Sequence, residues 1–214
     1  MGPIIDLTQP LENGMSHVPD DVLPVFTPVM EGSWRATVLL LGSHTGTHID
    51  ATAHLPRAGS SEIDAYPLER FVLPGVVADV RGRNPDEEID AAWLSPSLDG
   101  MKRGEALVVW TGWDAHWNSN RYLNHPFLSR DAAEAIVAAG ASLVAIDALN
   151  VDSTPQWTQH VHEILFGNDV LVVENLRGLD QLDPRVRYTF SFLPMKVKGG
   201  DAAPTRAVAW ADGG

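Results

Sequence analysis

The sequence predicts an α/β protein, and three observations carry this prediction. Short apolar runs recur along the chain, one well-marked helix lies between two of them, and 214 residues suit one domain with a full-sized core. Continuous apolar runs of four to six residues are typical of strands that are buried on both faces of a sheet. A helix between two such strands indicates a βαβ unit. We therefore expect a single domain over residues 1–214.

Seven apolar segments are predicted as strands. The first leads directly into a histidine-rich stretch, and three others end beside a polar residue, namely Thr111, Asp147 or Glu174. The seven segments are Ala36–Leu41, Val76–Val80, Ala106–Trp110, Ser142–Ile146, Val170–Val173, Thr189–Leu193 and Ala207–Trp210.

Two helices are predicted between these strands. Ser129 is a good N-cap for a helix through Ala132–Ala139, and Gly140 can end it. A shorter helix is expected from about His160 to Phe166. His116, His125 and three polar stretches are expected at the surface; the stretches are Pro56–Asp64, Arg81–Asp99 and Trp113–Pro126.

Charge and composition exclude several classes of function. The formal net charge is −13, and so acidic a protein repels phosphate backbones and anionic lipid, which argues against nucleic acid and membrane partners. The chain has no cysteine, which excludes disulfides, thiolate nucleophiles and cysteine-based zinc sites. The chain starts without a basic and then apolar leader, and no apolar run approaches the roughly 20 residues that span a bilayer. A cytoplasmic location is therefore expected.

The stretch from His44 to His54 combines three histidines with one carboxylate, Asp50. Imidazole and carboxylate suit zinc, manganese or iron when no thiolate is available. Residues two apart face the same way in an extended strand, so His48 and Asp50 can point at one ion. Gly46 allows the backbone to fold so that His44 joins them. Three protein ligands leave a coordination position free for water, which indicates a catalytic metal site.

A second group of candidate ligands lies further along the chain. It contains His160, His162 and Glu163 and, after the next predicted strand, Glu174. A strand that ends at Glu174 would deliver its carboxylate to a sheet edge. Surface histidines on a short helix explain His160 and His162 almost as well, and Glu163 is expected to face solvent. Together with the first group, these residues indicate a second metal ion.

The run from His44 to His54 (HTGTHIDATAH) resembles the His-x-Gly-Thr-His-x-Asp-x-x-x-His motif of the cyclase-like hydrolases. That family includes bacterial kynurenine formamidase and isatin hydrolase. Further segments look similar to its other landmarks, so the resemblance covers nearly the whole chain; they are Ile5–Thr8, Asp147–Asp152, His162–Leu176, Leu193–Lys196 and Thr205–Ala207. The resemblance implies a swivelling β/β/α fold, a homodimer or higher homo-oligomer, and one or two ions of zinc or manganese.

The resemblance also implies roles for individual residues. Asp50 would bridge two ions, the first held with His44 and His48 and the second with His162 and Glu174. His54 would transfer protons. Metal-bound hydroxide could then attack an amide carbonyl, because a metal lowers the pKa of its water toward about 7, and a histidine with a pKa near 6.5 could protonate the leaving nitrogen.

The leading hypothesis is therefore the hydrolysis of a small, aromatic amide, formamide or lactam. Two alternatives remain open. In a lyase or cyclase the metal would stabilise an enolate while His54 removes a carbon-bound proton. A non-catalytic metal-binding protein could also use the same scaffold.

The sequence departs from the kynurenine formamidase pattern at one wall of the expected pocket. Val18–Asp21 stands where those enzymes typically carry Trp-Pro-Gly-Asp, whose tryptophan lines the substrate pocket. The segment Thr111–Trp117 resembles the Thr-Gly-Trp segment of other branches of the family, isatin hydrolase among them. Its Trp113 and Trp117 are the candidates for stacking on a flat substrate ring. Surface or core packing, or a dimer interface, would explain these two tryptophans equally well.

Overall fold

A computed structural model of the chain describes residues 2–57 and 59–211. Within these residues the strands are β1 (Ile5–Asp6), β2 (Val25–Glu31), β3 (Trp34–Leu40), β4 (His48–Asp50), β5 (Val72–Asp79), β6 (Glu88–Ile89), β7 (Ala106–Trp110), β8 (Phe127–Leu128), β9 (Leu143–Ile146), β10 (Leu171–Glu174), β11 (Tyr188–Ser191), β12 (Ala202–Pro204) and β13 (Val208–Ala211). The α-helices are α1 (Ala91–Leu98), α2 (Arg130–Ala139) and α3 (His160–Gly167).

One mixed sheet forms the centre of the fold. Its strand order in the described residues is β1-β13-β11-β5-β7-β9-β10-β4-β12. The middle four strands, β5, β7, β9 and β10, run parallel, and each helix lies in the connection between two of them. The predicted α/β architecture is therefore confirmed, including α2 with its Ser129 cap and its Gly140 end. Across residues 2–57 and 59–211, no helix combines the length and apolar character that crossing a bilayer requires.

The central strands are buried on both faces, which explains their continuous apolar runs. Leu107 and Val109 pack with the helices on one face of the sheet. Ala106 and Val108 point to the other face, where they pack with residues from both ends of the chain, such as Leu7. Side chains alternate between the two faces of a strand, so every position of a strand covered on both sides must be apolar.

The expectation that Ala36–Leu41 is a buried strand was wrong. The strand exists as β3, but among the described residues it pairs with β2 alone, in a two-stranded hairpin closed by a tight turn at Gly32. Its side chains are exposed in the single chain, with Trp34 at 80% and Val38 at 58%. An apolar run predicts a strand but does not say which surface covers it.

Two stretches that were expected at the surface contain buried structure. Arg81–Asp99 includes β6 and helix α1, whose first turn is capped by the Asp90 carboxylate. Trp113–Pro126 folds into two short 3-10 helices, and it buries Trp113 and Tyr122. Polar composition concealed these elements because few of their residues face the core.

His125 was expected at the surface, but its side chain is completely buried. Its Nδ1 lies 3.0 Å from the carbonyl oxygen of Pro126, which only accepts, so Nδ1 carries the proton. Its Nε2 then accepts a hydrogen bond from the Thr154 hydroxyl at 2.8 Å. Burial lowers the pKa of His125 to about 4, so the ring is neutral in the folded protein at pH 7.

This buried imidazole predicts a loss of stability in acid. The unfolded chain binds a proton near pH 6.5 and the folded chain only near pH 4, so the free energy of unfolding should fall between these values, by up to about 3 kcal/mol. Urea titrations at several pH values, with a chelator present, would measure this slope. His125→Gln should flatten it relative to wild type, whereas the half-buried control His17→Gln should not. Equal slopes for His125→Gln and wild type would contradict the assignment.

Candidate active site

The pairing of β4 with β10 places the first polar side chains of the site. The two strands are antiparallel, and their register sets His48 opposite Glu174 and Asp50 opposite Val172. His48 and Asp50 lie two residues apart on one face of β4, while Ile49 between them packs into the core on the other face. Directly opposed residues on one face of a sheet have close side chains. The His48 Nε2 atom accordingly lies 3.5 Å from a Glu174 oxygen and 3.3 Å from Asp50 Oδ1.

Two more histidines reach this pair from outside the sheet. His162, on helix α3, has its Nε2 atom 3.5 Å from Glu174 and 3.8 Å from Asp50. His44, in the turn before β4, has its Nδ1 atom 2.9 Å from Asp50 Oδ1. The five residues predicted as metal ligands are therefore brought together. They form two groups that share Asp50, and within each group the potential ligand atoms lie within 4.8 Å of one another; the groups are His44-His48-Asp50 and Asp50-His162-Glu174.

Hydrogen bonds from the other ring nitrogens orient the two buried histidines. His48 Nδ1 lies 2.9 Å from the carbonyl oxygen of Gly46, and His162 Nδ1 lies 2.9 Å from Asp152. Both partners accept, so each Nδ1 carries a proton and each Nε2 points toward the carboxylates. Gly46 has a φ of +64°, in the left-handed region that side chains rarely adopt, which favours glycine at this turn.

The donor set fits a divalent cation. Among the described residues, two buried ring nitrogens of the cluster have no hydrogen-bond partner, namely Nε2 of His48 and Nε2 of His162. Such atoms are costly to bury unless another group satisfies them, and a cation would take up their lone pairs. Imidazole nitrogen with carboxylate oxygen is the ligand chemistry of zinc and manganese sites.

The charges of the cluster also fit a bound cation. Burial opposes a positive charge on His44 and His162, but neighbouring carboxylates, Asp50 among them, raise the pKa of each to about 10. Burial, together with repulsion from Asp50, raises the pKa of Glu174 to about 7. Protons on the imidazoles therefore offset the negative charge of the carboxylates. A bound metal would displace these protons from the ring nitrogens.

His54, the predicted proton-transfer residue, lies beside the five predicted ligands and forms a further group of potential ligand atoms with His44 and Asp201. Its Nδ1 is 3.3 Å from Asp201 Oδ2, and its ring centroid is 4.2 Å from that of His44. Burial lowers the pKa of His54, and nearby His162 adds to this effect. The imidazole is therefore neutral at pH 7, the form in which it can accept a proton.

Asp201 belongs to the site but was not predicted from the sequence. It directly precedes β12, which pairs with β4 so that Ala202 lies opposite Asp50. Its Oδ2 contacts both His54 Nδ1 and His44 Nε2, the latter at 3.0 Å. The only sequence signal was an acidic residue after a Gly-Gly turn, which by itself is typical of a surface loop. Asp152, which orients His162, lies in the segment Asp147–Asp152 that resembles a family landmark, but no role was predicted for it.

A cavity of about 300 Å³ opens above the cluster. Its lining includes His44, His48, His54, His162 and Glu174. The two tryptophans predicted to contact substrate are not among its described lining residues. Trp113 is buried, its indole N–H donating to the carbonyl of Tyr122, and Trp117 packs against the helix-side core. Their contact with substrate stays a prediction that this geometry does not support, whereas Trp157, which was not predicted, does line the cavity.

Comparisons with known proteins identify the family. The Cyclase family model matches residues 5–153, which is more than half of the chain. The chain belongs to the cyclase family. Kynurenine formamidase from Salinibacter ruber is 35% identical over 182 residues, which cover 83% of this chain and 81% of that protein.

Solved structures of other cyclase-family proteins support the fold. A predicted metal-dependent hydrolase from Bacillus stearothermophilus has a TM-score of 0.81 at 26% identity, covering 98% of both chains. Isatin hydrolase A from Ralstonia solanacearum has a TM-score of 0.86 at 23% identity, covering 97% of this chain and 91% of that one. The expected fold of the cyclase-like hydrolases is therefore confirmed.

Metal binding should be measurable without any substrate. Reloading purified protein with zinc or manganese should raise its free energy of unfolding, by about 2.7 kcal/mol at a hundredfold excess over Kd, because the ion binds only the folded site. His48→Ala should remove the metal found by elemental analysis, whereas the control His116→Ala should keep it. Wild-type protein that neither binds nor is stabilised by either ion would contradict the assignment.

Proposed function

We propose that this cyclase-family protein is a metal-dependent hydrolase that cleaves a carbon–nitrogen bond in a small aromatic amide, formamide or lactam. One observation carries the proposal: three histidines and two carboxylates converge, with unpartnered ring nitrogens, on the floor of a cavity of about 300 Å³. A cavity of this size suits a small molecule rather than a polypeptide. The kynurenine formamidase relatives support hydrolysis of a non-peptide amide.

His44, His48 and Asp50 would hold one ion of zinc or manganese. Asp50, His162 and Glu174 could hold a second. Bound there, a divalent cation supplies Lewis acidity, which polarises a carbonyl group and acidifies water. Asp152 keeps the proton on Nδ1 of His162, so that Nε2 stays free to bind the ion.

His54 would move the proton during the reaction. Its Nδ1–H donates to Asp201, which holds the ring and leaves Nε2 as the basic atom. Nε2 would take a proton from the attacking water and return it to the leaving nitrogen, so that amide and water become acid and amine. Asp201 acts through His54, as a positioning residue that fixes its tautomer.

The named relatives narrow the substrate class. An N-formyl aromatic amine, as in N-formylkynurenine, fits the kynurenine formamidase relatives, and an isatin-like lactam fits the structural neighbours. Of the two alternatives from the sequence, the cyclase has the better support, since one structural neighbour is described as a potential metal-dependent hydrolase with cyclase activity. The kynurenine formamidase relatives nevertheless favour hydrolysis. Hydrolysis in ¹⁸O-labelled water must place one labelled oxygen in the acid product, whereas an elimination need not.

The role of His54 predicts a separation of turnover from metal binding. His54→Ala should lower kcat on N-formylkynurenine or isatin by about 10² to 10⁴, the usual contribution of a general acid–base group, and its metal content should match wild type. His116→Ala serves as the control and should keep wild-type kcat. A His54→Ala enzyme with unchanged kcat would contradict this mechanism, and a wild-type enzyme that turns over no amide or lactam would contradict the proposed function.

We also propose that the protein is a homodimer joined by the β2–β3 hairpin. An isolated two-stranded hairpin is marginally stable in water, yet this one exposes large apolar side chains. These are Val25, Val29, Met30, Trp34, Val38, Leu39 and Leu40. Exposed apolar side chains grouped in this way are typical of an interaction surface.

Charge favours a second copy of the chain as the partner. The hairpin carries one acidic and one basic side chain, Glu31 and Arg35, within a protein of net charge −13. It is therefore a place where two copies can meet with little charge repulsion.

A charge placed on the hairpin should separate the two copies. Trp34→Glu should convert a dimer to a monomer in size-exclusion chromatography with light scattering, because it places a carboxylate in an apolar contact. Leu68→Glu, at a side chain that is 67% exposed and lies outside the hairpin, is the control and should remain dimeric. A wild-type protein that is monomeric at high concentration would refute the proposal.

Residues 1–214 are proposed to make up one domain, because β1 and β13, from opposite ends of the chain, pair in the same sheet. A cytoplasmic location is proposed as well.

A further inference from the structure

The connection between β9 and α3 forms one side of the cavity mouth. Trp157, Thr158 and Gln159 all line the cavity there. Trp157 stands out because its large apolar side chain is 62% exposed. Exposing an indole to water is unfavourable, and a ligand in the cavity would cover it.

The backbone at Trp157 is held in an uncommon conformation. Its φ is +51°, in the left-handed region that bulky residues rarely adopt. The turn around it is closed by hydrogen bonds from Ser153 N to the Thr158 hydroxyl at 2.9 Å and from Trp157 N to the Thr154 carbonyl at 3.3 Å. Strained residues persist where their surroundings hold them, and they concentrate at functional sites.

Buried groups anchor this turn at both ends. Thr154 is hydrogen-bonded to buried His125. Asp152 accepts the backbone N–H groups of Val161 and His162 at 3.0 Å, which joins the turn to the first turn of α3. The hydrogen-bonded turn therefore holds the indole at the mouth of the cavity. The same hydrogen bonds join this turn to helix α3, which carries His162.

The other sides of the cavity complete a slot for a flat group. Val18, Leu55 and Leu149 contribute apolar side chains, while the polar cluster lies below them. Neither Trp113 nor Trp117 is among the described lining residues, so Trp157 is the tryptophan placed to offer an aromatic face.

We propose that Trp157 is a specificity-determining residue, which stacks on the aromatic ring of the substrate while the scissile amide lies over the histidine cluster. The inference rests on the proposed hydrolase function, and it names the residue that would make the enzyme prefer aromatic substrates. Stacking on an exposed indole acts on binding, so Trp157 should change KM rather than the chemical step.

Matched substrates test this inference. Kcat/KM would be measured for an N-formyl aromatic amine and an N-formyl alkyl amine. Trp157→Ala should lower the aromatic-to-alkyl ratio about tenfold through KM, and Trp157→Phe should restore most of it. Trp93→Ala, at a half-exposed tryptophan of α1 that is not among the described lining residues, is the control and should leave the ratio unchanged. An unchanged ratio in Trp157→Ala would overturn the proposal.

A binding measurement separates this inference from the proposed function. Titration of the metal-loaded protein with 2-aminobenzamide should give a Kd that rises about tenfold in Trp157→Ala and recovers in Trp157→Phe. This result needs no turnover, so it would support the inference even if the wild type hydrolysed no amide. Equal Kd values in wild type and Trp157→Ala would overturn the inference.

Discussion

The antiparallel pairing of β4 with β10 is the constraint on which the site depends. It sets His48 opposite Glu174 and places Asp50 on the same face, so that two carboxylates and an imidazole meet where water is nearly excluded. Like charges this close are unfavourable when buried, and protons or a cation must offset them. The remaining parts of the site, His44 and His162, add ring nitrogens around that centre.

The side chains of the cluster are oriented by hydrogen bonds to groups that carry no charge or that lie behind the cluster. The Gly46 carbonyl directs His48, and it also accepts a hydrogen bond from the side chain of Asn175 at 3.0 Å. Asn175 in turn accepts from the buried Tyr122 hydroxyl at 2.9 Å. This chain of bonds ties the turn before β4 to the segment after β10, so the candidate ligands are held in place without an ion.

Burial of the central strands on both faces explains which elements could be predicted from the sequence. The strands β7, β9 and β10 are buried on both faces and read as uninterrupted apolar runs, and α2 carries a clear cap and end. Helix α1 was missed because Pro96 lies inside it and most of its residues face away from the core. For β3 the strand was predicted but its surroundings were not, because apolarity does not tell a core from a surface that a second chain would cover.

Composition and local spacing alone determined the ligand chemistry of this protein. With no cysteine, three histidines and an aspartate within eleven residues leave imidazole and carboxylate as the ligands, and alternation along β4 sets His48 and Asp50 on one face. Only the tertiary structure decided which distant residues complete the site. The pairing of β12 with β4 brings Asp201 to the site, and the turn before α3 places Trp157 at the cavity. The side chain of Trp113 instead packs in the core. Contacts between residues far apart in sequence depend on strand register and loop paths, which no local pattern encodes.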